Sequence, residues 1–214
     1  MLHSICENIK QIEQEIGNIQ LVVVSKYRSL DELQEVYNCG HRSFGENRIQ
    51  ELVQKEKELP KNIKWHAIGH LQRNKVKYIA PFIHLIHSID SLKLLQVVNN
   101  EAIKNNRVIN FLFQIHIAEE DSKFGLTPIE LDEIIHSDEF LAMKNVRCLG
   151  LMGMATFTDN TEQVKAEFSL LSNLFNQNKT AQQWSTLSMG MSGDYKLAQE
   201  CGSTMIRVGS KIFQ

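Results

Sequence analysis

The sequence lacks several features that would assign it to a broad class of proteins. No segment approaches the ~20 consecutive apolar residues that a transmembrane helix needs, so we expect no membrane partner. Basic and acidic residues are nearly balanced, 23 against 25, without a long block of like charge, which argues against nucleic acid as a partner. No stretch rich in Pro, Gly or Ser interrupts the chain. We therefore expect one domain over residues 1–214.

Cysteine is scarce and widely spaced. Cys6, Cys39, Cys148 and Cys201 lack the paired spacing that zinc sites and disulfide scaffolds use. We expect four reduced cysteines that pack like small apolar residues, and no metal site.

The first residues have the spacing of an amphipathic helix rather than of a secretory signal. Apolar residues recur there at alternating intervals of three and four, with glutamates between them. They are Leu2, Ile5, Ile9, Ile12 and Ile16. A signal peptide needs an uninterrupted apolar stretch, so a cytoplasmic location is the simplest expectation.

Apolar runs typical of strands alternate with segments of helical period along the rest of the chain. The predicted strands are residues 21–25, 43–45, 64–68, 84–89, 110–117, 146–152, 184–187 and 204–208. The predicted helices are residues 29–38, 49–59, 74–79, 91–104, 128–136, 162–176 and 195–200. Eight strands alternating with helices favour a closed parallel barrel, and an open doubly wound sheet is the main alternative.

Lys26 is the most informative residue for function. It follows the apolar run 21–24 after a single small residue, so a buried strand would deliver its amine to the mouth of the barrel, where active sites of such barrels are assembled. An amine near apolar surroundings is a candidate nucleophile for Schiff-base formation. The plainer interpretation is a solvated loop lysine, because most lysines that follow strands are solvated.

Two turns of small residues follow the last two predicted strands. Ser192 and Gly193 precede a predicted helix, whose first N–H groups would favour an anion, although Ser-Gly-Asp is also an ordinary helix start. Gly209 and Ser210 follow strand eight, and barrels frequently bind phosphate with the loops after strands seven and eight. A reactive amine beside a phosphate site suggests pyridoxal 5′-phosphate (PLP) as cofactor.

Six motifs carry a resemblance to a known family. They are VVVSK, FGENRIQE, WHAIGHLQRNK, GLMGM, LSMGMSGDY and GSTMIRVGSKIF, between about residues 21 and 213. In order and spacing they resemble the pyridoxal phosphate homeostasis protein family. The resemblance implies a single α/β domain: the (β/α)8 TIM barrel of fold type III PLP proteins, like the N-terminal domain of alanine racemase, with an extra N-terminal helix and without a second domain.

The resemblance also implies roles for individual residues. Lys26 would form the aldimine with PLP, Ser192, Gly193, Gly209 and Ser210 would hold the phosphate, and Asn47, His66, His70 and Met152 would line the ring pocket. Arg207 would approach the pyridine nitrogen, where its permanent charge would disfavour ring protonation and weaken PLP as an electron sink. A structural salt bridge is the alternative for Arg207, and a core histidine is the alternative for His66.

The family is regarded as controlling PLP levels, with effects on amino-acid and keto-acid balance, and without an established reaction. We therefore expect a PLP carrier or buffer rather than an enzyme, present as a monomer or weak dimer, with PLP-requiring apoenzymes as candidate partners. The alternative is a weak racemase or lyase that takes a proton-transfer group from Tyr27, His70 or a partner chain. A third interpretation is an interaction scaffold in which the two turns are only structural.

Overall fold

Eight parallel strands close into a barrel in the computed structural model, which describes residues 4–119 and 124–214. The strands are β1 (Gln20–Val24), β2 (Ser43–Glu46), β3 (Lys64–Ala67), β4 (Leu85–Ile89), β5 (Ile109–Gln114), β6 (Val146–Met152), β7 (Thr186–Ser188) and β8 (Met205–Val208). Strand β8 pairs in parallel with β1, from Gln20 opposite Met205 to Val23 opposite Val208. This pairing confirms the barrel and excludes the open sheet.

Helices connect the strands around the outside of the barrel. They are α1 (Ile5–Ile16), α2 (Leu30–Asn38), α3 (Ile49–Glu58), α4 (Val76–Ile79), α5 (Leu92–Lys104), α6 (Pro128–Ile135), α7 (Asp138–Leu141), α8 (Thr161–Gln182) and α9 (Tyr195–Glu200). The short α7 was not predicted, and α8 extends beyond the predicted end at residue 176. No helix within the described ranges combines the length and apolarity needed to cross a membrane.

The extra N-terminal helix, α1, is confirmed. Ser4 caps it reciprocally with Glu7: the Glu7 N–H donates to the Ser4 hydroxyl, and the Ser4 N–H donates to the Glu7 carboxylate at 2.8 Å. Ile9, Ile12 and Ile16 are buried, as their spacing predicts. Leu2 lies outside the described residues.

The apolar core has two layers because parallel strands in a barrel are covered on both faces. The large outer layer lies between the strands and the helices. The small inner layer fills the barrel with Val22, Leu85, Leu112, Met152 and Met205. This inner layer packs inside the barrel beneath its mouth.

The expectation of four reduced cysteines is wrong for two of them. Cys6 and Cys39 form a disulfide with a Cα–Cα distance of 5.5 Å, whereas Cys148 and Cys201 are free. Cys6 lies in the first turn of α1 and Cys39 at the end of α2. The two helices pack side by side, and this tertiary contact brings together residues that are 33 positions apart.

Replacing Cys39 with Ser should lower the free energy of unfolding by about 3 kcal/mol, because the open chain gains conformational entropy when the cross-link is lost. Urea unfolding followed by circular dichroism measures the change. A reducing agent should destabilise the wild type by a similar amount and leave Cys39→Ser unchanged, while Cys201→Ser should respond like the wild type. Wild-type stability that is insensitive to reductant would contradict the cross-link.

Candidate functional site

A cavity of about 850 Å³ opens at the carboxyl ends of the strands. Its walls come from the loops that follow most of the strands, which is where barrels of this kind place their ligands. Eight of the ten predicted site residues line it. They are Lys26, Asn47, His70, Ser192, Gly193, Arg207, Gly209 and Ser210.

Lys26 reaches the cavity from a tight turn at the end of β1. The Arg28 N–H donates to the Ser25 carbonyl at 3.1 Å, and Tyr27 between them has a φ of 62°. A positive φ is uncommon for a residue with a side chain and marks local strain, which tends to occur at functional sites. The amine of Lys26 lies 5.0 Å from the centre of the exposed Tyr27 ring.

A buried ion pair holds the ends of β1 and β2 together beneath Lys26. The carboxylate of Glu46 is fully buried and receives the Lys55 amine at 2.6 Å and the Ser25 hydroxyl at 2.8 Å. Its other oxygen accepts the backbone N–H of Asn47 at 2.8 Å. The Lys55 amine also donates to the carbonyl of Ser25 at 2.7 Å. The residues next to Lys26 and Asn47 are thus fixed by one carboxylate.

The loops after β2 and β3 approach each other closely at Gly69. A Cβ atom at that position would collide with the backbone of Asn47, so only glycine fits. His70 follows and lines the cavity, with its ring stacked on Phe124 at a centroid distance of 4.0 Å. Its Nδ1 atom lies 3.3 Å from a carboxylate oxygen of Asp90.

The two turns of small residues converge, as the sequence predicts. The backbone N–H of Gly209 donates to the hydroxyl of Ser192 at 3.3 Å. The backbone N–H groups of Ser192, Gly193 and Ser210 have no acceptor within residues 4–119 and 124–214. The turns therefore present unused donors and two serine hydroxyls on one wall of the cavity. Helix α9, which follows the first turn, has only six residues.

Arg207 lies at the floor of the cavity and is 3% exposed. Its guanidinium donates to the Ser188 hydroxyl at 2.6 Å and to the Gly153 carbonyl at 3.1 Å. Burial lowers the pKa of Arg207 to about 10, and the charge of Asp194 opposes this shift. Arg207 is thus cationic at neutral pH. Both of these contacts are to neutral oxygen atoms.

His66 and Met152 do not line the cavity, contrary to the expectation from the motifs. Met152 belongs to the apolar layer inside the barrel. His66 is fully buried and pairs with His87, its Nδ1 lying 2.9 Å from the His87 Nε2. Burial lowers the pKa of His66 to about 3, so the ring is neutral. Both residues point inward at a level below the floor, and His66 is the core histidine that the alternative interpretation describes.

Sequence reasoning did not identify several residues of the cavity wall. They include Val24, Arg28, Ile68, Gln114, Phe124, Met154, Phe157, Met191 and Asp194. The amide of Gln114 donates to the Phe124 carbonyl at 2.7 Å and so ties Phe124 to the end of β5. Gln114 could have been identified because it is a polar residue inside a predicted strand. The described residues include no cluster of three His, Cys, Asp or Glu side chains that could hold a metal ion.

Comparison with known proteins agrees with this architecture. The family of the alanine racemase N-terminal domain matches residues 1–214. The pyridoxal phosphate homeostasis protein of Helicobacter pylori is 38% identical over 198 residues, which cover 92% of this chain and 87% of that protein. An alanine racemase from Bartonella henselae shares only the fold, with 17% identity and a TM-score of 0.75 over 98% of this chain and 58% of the racemase.

Solved structures of PipY from Synechococcus elongatus are similar over nearly the whole chain. The identity is 30%, and the match covers 99% of this chain and 100% of PipY. The TM-score is 0.92 for the PipY structure without PLP and 0.89 for the structure with PLP bound. The chain therefore belongs to the pyridoxal phosphate homeostasis proteins, within the family of the alanine racemase N-terminal domain.

Proposed function

We propose that the protein binds PLP at the mouth of its barrel through a Schiff base with Lys26, and that it serves as a carrier and buffer of the cofactor. Amino-acid and keto-acid balance would respond to it through PLP supply. One observation carries the proposal: a single cavity of about 850 Å³ is lined by both the Lys26 side chain and the two turns of small residues. The name of the relatives and the PLP-bound structure of PipY support it.

The proposed phosphate site is the wall made by the two turns. Ser192, Gly193 and Ser210 offer unused N–H groups there, and the two serine hydroxyls add donors. Gly209 brings its turn close to the end of β1, since an added Cβ would lie 3.1 Å from the Cβ of Val24. The carboxylate of Asp194 also lines the cavity, but one of its oxygens already accepts the Met191 N–H.

The proposed ring site lies between Lys26, Asn47, His70 and the guanidinium of Arg207. When bound, PLP supplies an aldehyde that condenses with amines and a ring that withdraws electrons. A permanent cation at the floor would disfavour protonation of the ring nitrogen and so weaken electron withdrawal. The residues present therefore fit retention of the cofactor better than its use in transamination. We do not include His66 and Met152 among the contacts, because they lie below the floor.

Replacing Lys26 with Ala should abolish the visible absorbance of the purified protein after incubation with PLP. Borohydride reduction followed by peptide mapping should label Lys26 in the wild type. PLP at about 100 times its dissociation constant should stabilise the wild type by about 2.7 kcal/mol, and the variant should lose much of this gain in thermal unfolding. Lys75→Ala, on the loop after β3, is the matched control and should keep both signals. A label on another lysine would refute the assignment.

Replacing Ser192 with Ala should weaken retention of PLP about tenfold, because one hydrogen bond to a charged phosphate is lost. Dialysis against buffer and equilibrium titration measure the change. The covalent link to Lys26 should still form at high PLP concentration, which separates phosphate binding from condensation. Ser185→Ala, at the opposite end of the barrel, should behave like the wild type. Unchanged retention in Ser192→Ala would remove this turn from the phosphate site.

One observation favours the alternative of a weak racemase or lyase: His70 lines the cavity with its ring nitrogen 3.3 Å from the Asp90 carboxylate, an arrangement that can transfer protons. Incubation of the PLP-loaded protein with L-alanine in deuterated water distinguishes the two functions. If the protein is a carrier, we expect the α-proton of L-alanine to exchange no faster than it does with free PLP alone. Exchange that requires His70, and is lost in His70→Asn, would establish the alternative instead.

A further inference from the structure

A column of four buried polar side chains descends from the cavity floor into the barrel. Arg207 contacts the Ser188 hydroxyl at 2.6 Å, and that hydroxyl lies 3.1 Å from Nδ1 of His87. The Nε2 of His87 lies 2.9 Å from Nδ1 of His66. Ser188, His87 and His66 are fully buried. Because polar groups inside a barrel displace apolar packing, such a column needs an explanation.

The donors of Arg207 favour one direction for the hydrogen bonds of the column. A guanidinium has only donors, so the Ser188 oxygen must accept from it. The hydroxyl proton of Ser188 then finds an acceptor among the described residues only if Nδ1 of His87 is unprotonated, so this direction satisfies both groups. A neutral His87 consequently carries its proton on Nε2 and donates it to His66. His66 is left with its proton on Nε2, the buried atom that has no partner among the described residues.

The column carries no charge below Arg207. Burial lowers the pKa of His87 well below its usual value and that of His66 to about 3. The neighbouring His84 has a lowered pKa as well, again mainly because of burial. Neutral histidines leave the guanidinium as the cation at the floor. Its contacts with Ser188 and Gly153 occupy two of its N–H groups and leave the others for the cavity.

We propose that Ser188 and His87 are positioning residues for Arg207: the column fixes the guanidinium at the cavity floor so that its remaining donors meet the ring nitrogen of the ligand. The inference rests on the proposed function, because it assigns the ring end of PLP to this floor. Ser188 receives the guanidinium, His87 holds the Ser188 hydroxyl in the accepting orientation, and His66 holds the ring of His87. Neither Ser188 nor His87 lines the cavity or would touch the ligand.

The first test needs neither ligand nor variant. Nitrogen-15 NMR of the histidine rings in the ligand-free protein reports which ring nitrogen carries the proton. We expect His87 and His66 both to be neutral and protonated on Nε2. A proton on Nδ1 of His87 would mean that this ring donates to Ser188, and it would overturn the proposed direction of the column.

The second test measures whether Ser188 acts through the ring nitrogen. Titration compares PLP with its deaza analogue, in which a C–H group replaces that nitrogen. We expect Ser188→Ala to weaken binding of PLP about tenfold and binding of the analogue less than about twofold. In an Arg207→Met background, Ser188→Ala should have no further effect on PLP. Ser203→Ala is the matched control, since its buried hydroxyl contacts only backbone carbonyls.

The outcomes separate this inference from the proposed function. If Ser188→Ala loses the same affinity for both ligands, or loses none for either, the positioning role is refuted. PLP binding by the wild type would still support the proposed function in that case. A wild type that binds neither ligand would refute the function and the inference together. If Ser188→Ala does not fold, His87→Leu serves instead with the same two ligands, and the NMR result on the wild type stands independently.

Discussion

The buried carboxylate of Glu46 is the interaction on which the site depends. An isolated carboxylate in the interior costs several kcal/mol, so the fold must bring compensating donors to it. The Lys55 amine from α3, the Ser25 hydroxyl from the end of β1 and the N–H of Asn47 meet that need. Because all three groups bind the same carboxylate, they fix the positions of the ends of β1 and β2 and of α3 relative to one another. Lys26 and Asn47, the next residues along the chain, are thereby presented to the same cavity.

Several hydrogen-bond donors line the cavity, and they favour an anionic ligand. The Lys26 amine, the Arg207 guanidinium and the unused N–H groups of the two turns all seek electron pairs. An anionic ligand with a phosphate at one end and an unprotonated ring nitrogen at the other satisfies donors at both ends. A phosphorylated aldehyde therefore suits the site for reasons of charge as well as of covalent chemistry.

Most strands could be predicted from the sequence because they contain apolar runs between segments of helical period, and all eight lie within a few residues of their predicted positions. The convergence of Ser192 with Gly209 followed from the rule that parallel strands end on one side of a barrel. The depth of a given side chain along the barrel axis could not be predicted in this way, since it depends on the tilt and stagger of the strands. His66 is only two residues before Ile68, which lines the cavity, yet it lies below the floor. The Cys6–Cys39 pairing was missed because it depends on how two helices pack.

Within residues 4–119 and 124–214, side chains at the mouth of the barrel are exposed, and this bears on how a cofactor held as proposed could leave. Lys26 is partly exposed, Tyr27 beside it is 68% exposed, and Phe157 on the rim is 97% exposed. Enzymes that use PLP catalytically gain from excluding water, because water competes for reactive intermediates. A carrier has the opposite requirement, since the bond between lysine and aldehyde must be reachable by water or by another amine for the cofactor to leave. In the proposed carrier, the donors that surround the cavity would slow escape without covering the link, and retention would depend on hydrogen bonds and charge rather than on closure.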